Sequence, residues 1–272
     1  MKRTIVLGLL LATLSGRGPA FGQAPPVSSE AFKVCVIGYD MPLSNQQADP
    51  ISGLRGLYLE LSDTLAKEMQ TSLATHFVLQ AYFGRPIRFG LLANQCRAQV
   101  GLPRGDSDWY IPKKVALTQS FMSLGYAIVV PADVVVQRLE DLQGKTVAVQ
   151  TGSPPHLALG QVGNVELTFA VDAEPALLAL AEGRVQAAFI WGPTAGYLNK
   201  YKYQNKYKVI QTDMVWPVAI GVRAEDLELR DQMNTILARL SPYVQQLNTK
   251  YGFPTGPVLM IPDALKNPYK VP

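Results

Sequence analysis

Two histidines and two cysteines in 272 residues leave little material for catalytic or metal chemistry. His76 and His156 stand most of the chain apart, no Gly-x-Ser-x-Gly elbow is present, and neither cysteine has a base near it in sequence. A nucleophilic triad is therefore not expected. No pair of His or Cys has metal-ligand spacing, and Asp106 with Asp108, lacking a third acid, make no calcium loop. Calcium or lanthanide binding is not expected, nor any other cofactor. Long biased tracts are missing too. With 48% hydrophobic and 17% charged residues, the composition is that of a globular chain large enough for one big domain or two ordinary lobes.

A real excess of positive charge is also lacking, despite a sequence pI near 9.0. Lys2-Arg3, the apolar run Ile5 to Leu14 and the small-x-small ending Ala20-Phe21-Gly22 have the layout of a secretory signal peptide, residues 1–22. Its apolar run is too short to span a bilayer, and an uncleaved anchor is the alternative. Removing it takes Lys2, Arg3 and Arg17 and no acid, so the formal charge falls from +4 to +1. Nothing in that balance calls for a nucleic-acid partner. Export to the periplasm would put Cys35 and Cys96 in an oxidising compartment, where a lone pair reads as a disulfide, with two unpaired buried thiols as the alternative. Closing a loop of roughly sixty residues would add at most about 4 kcal/mol.

What is present is an alternation of strand and helix patterns. Lys33–Gly38 reads as a buried strand, and Leu57, Leu61, Leu65, Met69 and Leu73 mark an amphipathic helix. A strand at Val78–Phe83, a helix at Ile87–Asn94 and strands at Ala98–Leu102 and Tyr126–Val130 follow. A second unit begins with the strand Lys145–Gln150, a turn at Thr151-Gly152-Ser153 into a helix, and the strand Val165–Val171. Asp172 caps a further helix that Gly183 ends, and Val185–Ile190 is the next strand. Strands at Lys208–Gln211 and Pro217–Val222 and two helices around Leu229–Leu240 and Tyr243–Tyr251 complete the chain. Two such units predict an α/β protein of two lobes, although one continuous sheet would read much the same.

The segment Trp191-Gly192-Pro193-Thr194-Ala195-Gly196-Tyr197 places an indole and a constrained loop past the carboxyl end of a predicted parallel strand, the edge where open α/β sheets bind ligands. It offers an aromatic wall, a hydroxyl and amides, but no acid, base or thiol: chemistry for holding rather than breaking. A Gly-Pro turn packed under a core Trp is the plain alternative. Thr151-Gly152-Ser153 similarly offers amides for a small anion, or an ordinary Ser-capped helix. Between Tyr197 and Lys208 bases alternate with tyrosines. That run reads as solvated surface or, with Lys202 and Lys206 steering, as a patch that docks on an acidic protein.

Gly56-Leu-Tyr-Leu-Glu60-Leu-Ser62, Gln143-Gly-Lys-Thr-Val-Ala-Val-Gln-Thr-Gly-Ser153 and Leu177-Leu-Ala-Leu-Ala-Glu-Gly-Arg-Val-Gln-Ala-Ala188 resemble segments of the type II periplasmic solute-binding proteins. Val34-Cys-Val, Pro42-Leu-Ser-Asn45, Gln95-Cys96, Val100-Gly-Leu-Pro103, Thr118–Tyr126 and above all Trp191–Tyr197 are similar to the "J" proteins encoded beside PQQ-dependent methanol and related alcohol dehydrogenases. The resemblance implies a Venus-flytrap fold, each lobe a mostly parallel sheet flanked by helices, with residues 31–127 and 222–272 as lobe 1 and 128–221 as lobe 2. It also implies a periplasmic, monomeric, non-enzymatic accessory that binds the dehydrogenase or a segment of it between its lobes; an importer subunit carrying a small organic solute is the alternative. A dehydratase on the same fold would need an acid–base couple that the sequence does not supply. Under either leading reading Tyr39, Lys114, Phe121, Thr151, Gly152, Ser153, Trp191 and Thr194 are the expected cleft residues. The family's amino-acid binders use an Arg to fork onto the ligand carboxylate and an Asp for its ammonium. Here Lys113-Lys114 stand in the first region and Trp191 near the second, so a bound amino acid is disfavoured.

Overall fold

The computed structural model describes residues 30–79, 84–105 and 111–266. The leader, the Asp106/Asp108 pair and residues 80–83 of the expected second strand lie outside that set.

The first unit runs β1 (Phe32–Ile37), the short pair β2 (Tyr39–Asp40) and β3 (Ser44–Asn45), α1 (Leu57–Glu68), β4 (Leu73–Val78), α2 (Arg85–Phe89), β5 (Ala98–Pro103), β6 (Val115–Leu117) and β7 (Met122–Pro131). The second runs β8 (Thr146–Gln150), α3 (Pro154–Val162), β9 (Glu166–Ala170), α4 (Ala173–Ala181), β10 (Ala187–Trp191), α5 (Gly192–Tyr201) and β11 (Tyr207–Arg223). Helices α6 (Leu227–Arg239), α7 (Ser241–Lys250) and α8 (Asp263–Lys266) close the described chain.

Nine of the described strands form one sheet in the order β4-β1-β5-β11-β7-β10-β8-β9, with β6 paired to β11, and β2 and β3 form a separate antiparallel pair. Each half is a parallel triplet, β4-β1-β5 or β10-β8-β9, as short crossovers through helices require. Each triplet is flanked by an antiparallel strand: β11 beside β5 and β7 beside β10. Strands β7 and β11 pair with each other along both halves and so carry the chain across the middle. Their register shifts between Gln211 and Val215, a bulge that bends β11 where one lobe passes into the other. Gly125 faces that bulge, and a Cβ there would run into the Met214 carbonyl and Val215.

An apolar cluster joins Val34, Leu57 and Leu61 of one half to Leu177, Ala188 and Ile190 of the other through Tyr197, Tyr207 and Tyr251. Two smaller clusters belong to one half each, around Phe189 and Leu159 and around Cys35 and Leu91. Cys35 and Cys96 are bonded, with Cα atoms 5.6 Å apart; Cys35 lies in β1, and Cys96 stands two residues before the neighbouring β5.

Several elements depart from the sequence expectation. The four-residue apolar spacing continues to Leu73, yet α1 stops at Glu68, because Gln70 takes a left-handed conformation (φ 55°) and Thr71 N–H closes onto Ala66. Leu73 then opens β4, which therefore ends where the second strand was expected to begin. Helix α2 is shorter than Ile87–Asn94, ending at Gly90, with Asn94 left-handed. The two strands expected at Lys208–Gln211 and Pro217–Val222 are one strand bent by its bulge. The Trp191–Tyr197 loop is instead the start of α5, since Pro193 in a first helical turn gives up no backbone bond.

Replacing both Cys35 and Cys96 by Ser should lower unfolding stability by up to about 4 kcal/mol, the chain-entropy value for a separation of 61 residues. Urea denaturation of the pair variant against the oxidised protein measures it. An unchanged midpoint would mean that the bond adds nothing to the fold.

Candidate functional site

A cleft of about 650 Å³ opens between the halves. The first unit supplies Tyr39, Asp40, Met41, Leu43 and Tyr58, together with Gly101 and Pro103 at the carboxyl end of β5. The second supplies Gln150, Pro154, Asp172, Ala173, Glu174, Trp191 and Thr194, and the crossing strands form its back with Leu124, Tyr126, Trp216 and Val218. Every parallel strand that contributes does so at or just past its carboxyl end, as crossover topology dictates.

Five rings line this space. Tyr126 meets Trp191 at 5.4 Å between ring centres and Trp216 at 5.7 Å, with planes inclined by 76° and 80°. The rings are thus walls of a box, not a stack. Tyr58, wholly buried on α1, has Phe121 edge-on at 6.1 Å behind it. Burial pushes the Tyr126 hydroxyl up to about 12 and raises that of Tyr58 well above its ordinary value, with the Asp40 charge adding to the latter.

Asp40 is the anomaly. Among the described residues no side chain donates a hydrogen bond to its carboxylate and no Lys or Arg pairs with it, and burial pushes its pKa up to about 6. The other two acids of the lining are engaged. Asp172 Oδ1 accepts the Glu174 N–H at 3.0 Å as the cap of α4, and Glu174 pairs with Lys202 Nζ at 2.8 Å.

Helix starts normally attract anions, but here they are occupied by the chain itself. Gly152 N–H donates to His156 Nδ1 at 3.1 Å, Thr151 N–H to the Ala170 carbonyl and Ser153 N–H to that of Gln150. Ser153 Oγ caps the His156 N–H at 3.3 Å, and Pro154 and Pro155 have no N–H to give. The Thr151-Gly152-Ser153 turn is therefore a self-satisfied cap, and the lining passes through Gln150 and Pro154 on either side of it.

Of the expected cleft residues, Tyr39, Trp191 and Thr194 come together on the lining, and Phe121 stands one layer behind it. Lys114 does not reach it: it is exposed before β6, which pairs with the Gly221–Arg223 end of β11, away from Trp216. Of the surface pair, Lys202 is tied to Glu174, whereas Lys206 is exposed beside the Tyr207 ring at 5.4 Å. Asp40, Tyr58, Tyr126 and Trp216 were not singled out from sequence. Asp40 could have been, as a carboxylate just past the end of β1; Tyr126 and Trp216 only look like strand residues until β7 and β11 are seen to cross.

The rest of the Trp191–Tyr197 string sets the angle between the halves. A Cβ at Gly196 would collide with the Gly252 carbonyl oxygen, so α5 lies against the turn after α7. The buried Tyr197 hydroxyl donates to Asp49 Oδ1 at 2.8 Å and shares a hydrogen bond with Ser52 Oγ, while Thr194 Oγ1 donates to the Met41 carbonyl at 3.5 Å. Burial opposes ionisation of Asp49, but the N–H groups of Ser52 and Ile51 and the Tyr197 hydroxyl outweigh it and hold the carboxyl below its ordinary value. Glu60, the acid shared with the family segment, binds Lys250 Nζ and the Tyr251 hydroxyl (2.6 Å), fixing α1 to α7 outside the cleft lining.

No family model matches the chain, and no curated protein matches it. Solved structures do. The structure of MxaJ from Methlophaga aminisulfidivorans MPT superposes with a TM-score of 0.66 at 22% identity, over 82% of this chain and 99% of that one. An ancestral cationic amino acid solute binding protein gives 0.67 at 22% identity, over 82% and 95%. An arginine transport periplasmic binding protein from Legionella pneumophila gives 0.53 at 18% identity, over 82% and 100%. The fold is accordingly the two-lobed α/β fold of type II periplasmic binding proteins. Among the described residues no helix is long and apolar enough to cross a membrane, and no group of three His, Cys, Asp or Glu could hold a metal ion.

Asp40→Asn should stabilise the protein at pH 7.5 by about 1–3 kcal/mol, the cost of ionising a carboxyl raised from 3.8 to about 6, discounted for solvent screening. A raised native pKa makes the native state bind more protons, so the wild type loses stability as pH rises from about 4 through about 6. The advantage of the variant should therefore fade on acidification towards pH 4. Thermal unfolding of both proteins across that range tests this, and equal stability at pH 7.5 would contradict it.

Proposed function

We propose that this chain is an exported, non-catalytic binding protein that serves a periplasmic PQQ-dependent alcohol dehydrogenase as an accessory, taking the dehydrogenase or a segment of it between its lobes. The carrying observation is the lining of the cleft, which carries five aromatic rings and, among the described residues, no Lys or Arg to fork onto a ligand carboxylate. Its rim continues that character, with Tyr39 exposed on one side and Val171, next to Asp172, exposed on the other. The likeness to MxaJ supports the two-lobed fold that this reading needs, and the Trp191–Tyr197 string lines the cleft with its first residues and spans the lobes with its last.

In this reading residues 1–22 are a cleaved leader and the lobes are 31–127 with 222–272 and 128–221, both boundaries falling inside the crossing strands β7 and β11, although Val218–Gly221 of β11 pair with β5 and so go with the first lobe. The protein acts as a monomer, and Lys206 is the steering charge of the surface patch, Lys202 being held by Glu174. One observation favours a second reading, an importer subunit for a small organic solute: about 650 Å³ is an ordinary small-molecule volume. The amino-acid transport proteins of the same fold support that reading.

Affinity capture of the tagged protein from native periplasm, with mass spectrometry of proteins and small molecules, tests the choice. The dehydrogenase should co-purify. Trp191→Ala should reduce its recovery about tenfold, and Lys206→Glu should reduce it several-fold in a salt-dependent way. Recovery of a stoichiometric metabolite without the dehydrogenase would replace the accessory reading with the importer one.

A further inference from the structure

The cleft has one sign of charge. Among the described residues Asp40, Asp172 and Glu174 line it and no Lys, Arg or His does. Asp172 and Glu174 are satisfied within the chain, so the uncompensated charge is that of Asp40. Several N–H groups that could offset that sign are engaged: those of Thr151, Gly152 and Ser153 are bonded internally, that of Glu174 goes to Asp172, and Pro193 in the first turn of α5 has none. Five rings share the lining with Asp40, and Trp191 and Trp216 each stand almost at right angles to Tyr126. An aromatic face attracts a cation and also covers hydrocarbon. A carboxylate without a partner and an aromatic box in one cavity therefore describe a ligand that is positively charged and apolar at its surface.

We propose that the cleft receives an alkylammonium group, with its charge against Asp40 and its carbons against Tyr58, Tyr126, Trp191 and Trp216. This rests on the reading of the cleft as the binding site and adds the chemistry of the occupant. An amino acid does not suit it, since no base on the lining would hold the α-carboxylate. A free amine and a lysine side chain on the dehydrogenase carry the same group, and the experiment separates them.

The purified protein is titrated with tetramethylammonium and n-butylammonium chlorides, followed by tryptophan fluorescence and calorimetry, with sodium chloride and sodium valerate as controls. Saturable binding of the ammonium ions is expected, with at least tenfold weaker binding by Asp40→Asn, whose fold is checked by thermal unfolding, and none of valerate. No ammonium binding, equal binding by Asp40→Asn, or binding of valerate would overturn the proposal. Dehydrogenase capture is then repeated with saturating n-butylammonium. Release of the enzyme identifies lysine as the source, and capture without release identifies a free amine. Ammonium binding with no capture under any condition leaves this inference standing while the accessory reading fails. Capture with no ammonium binding does the reverse.

Discussion

The feature on which the account turns is a carboxylate with nothing to balance it. An acid drawn partly out of bulk water, without a donor or a counter-charge, costs folding free energy, and half-buried Asp40 bears that cost in a cleft lined with aromatic rings. Every other charged group on the lining has a partner in the chain. The lining thus satisfies two of its acids and leaves the third open.

The fold makes such a place for geometric reasons. Parallel strands send their following residues to one edge, so Tyr39 and Asp40 after β1, Gln150 after β8 and Trp191 at the end of β10 converge there. The swap of antiparallel partners, β11 to the first triplet and β7 to the second, sets the two edges facing each other and brings Tyr126 and Trp216 to the back wall. Helix α5 then holds the halves at their angle. Gly196 lets its backbone touch the Gly252 carbonyl, and Tyr197 reaches across to Asp49. One short string thus contributes an indole to the site and a brace to the frame, which explains why its composition is so restrictive.

Fold and site were legible in the sequence to different depths. The alternation of elements, the Asp172 cap and the Cys35–Cys96 pair could be read because each depends on neighbours in sequence or on a simple count. The end of α1 could not, since a left-handed Gln70 overrides an apolar spacing that continues through Leu73. Nor could the continuity of β11, whose bulge looks like a break from sequence alone. Trp191 could be placed at the sheet edge because it follows a strand, while Thr151–Ser153 read equally as an anion seat or a helix cap because both use the same atoms, and the structure shows the cap. Lys114 misled because proximity to the fourth strand in sequence put it at the wrong end of that lobe. Trp216 and Tyr126 acquire a role only when the crossing strands meet, which no local pattern encodes.

The most direct test is a carbon-13 titration of the aspartate carboxyl groups by NMR, with the Asp40→Asn spectrum assigning the signal. Without ligand, the account predicts a midpoint for Asp40 of about 6. A midpoint at the ordinary 3.8 would mean that the carboxylate is solvated or already partnered, and the desolvated, unpartnered acid on which the site depends would not exist.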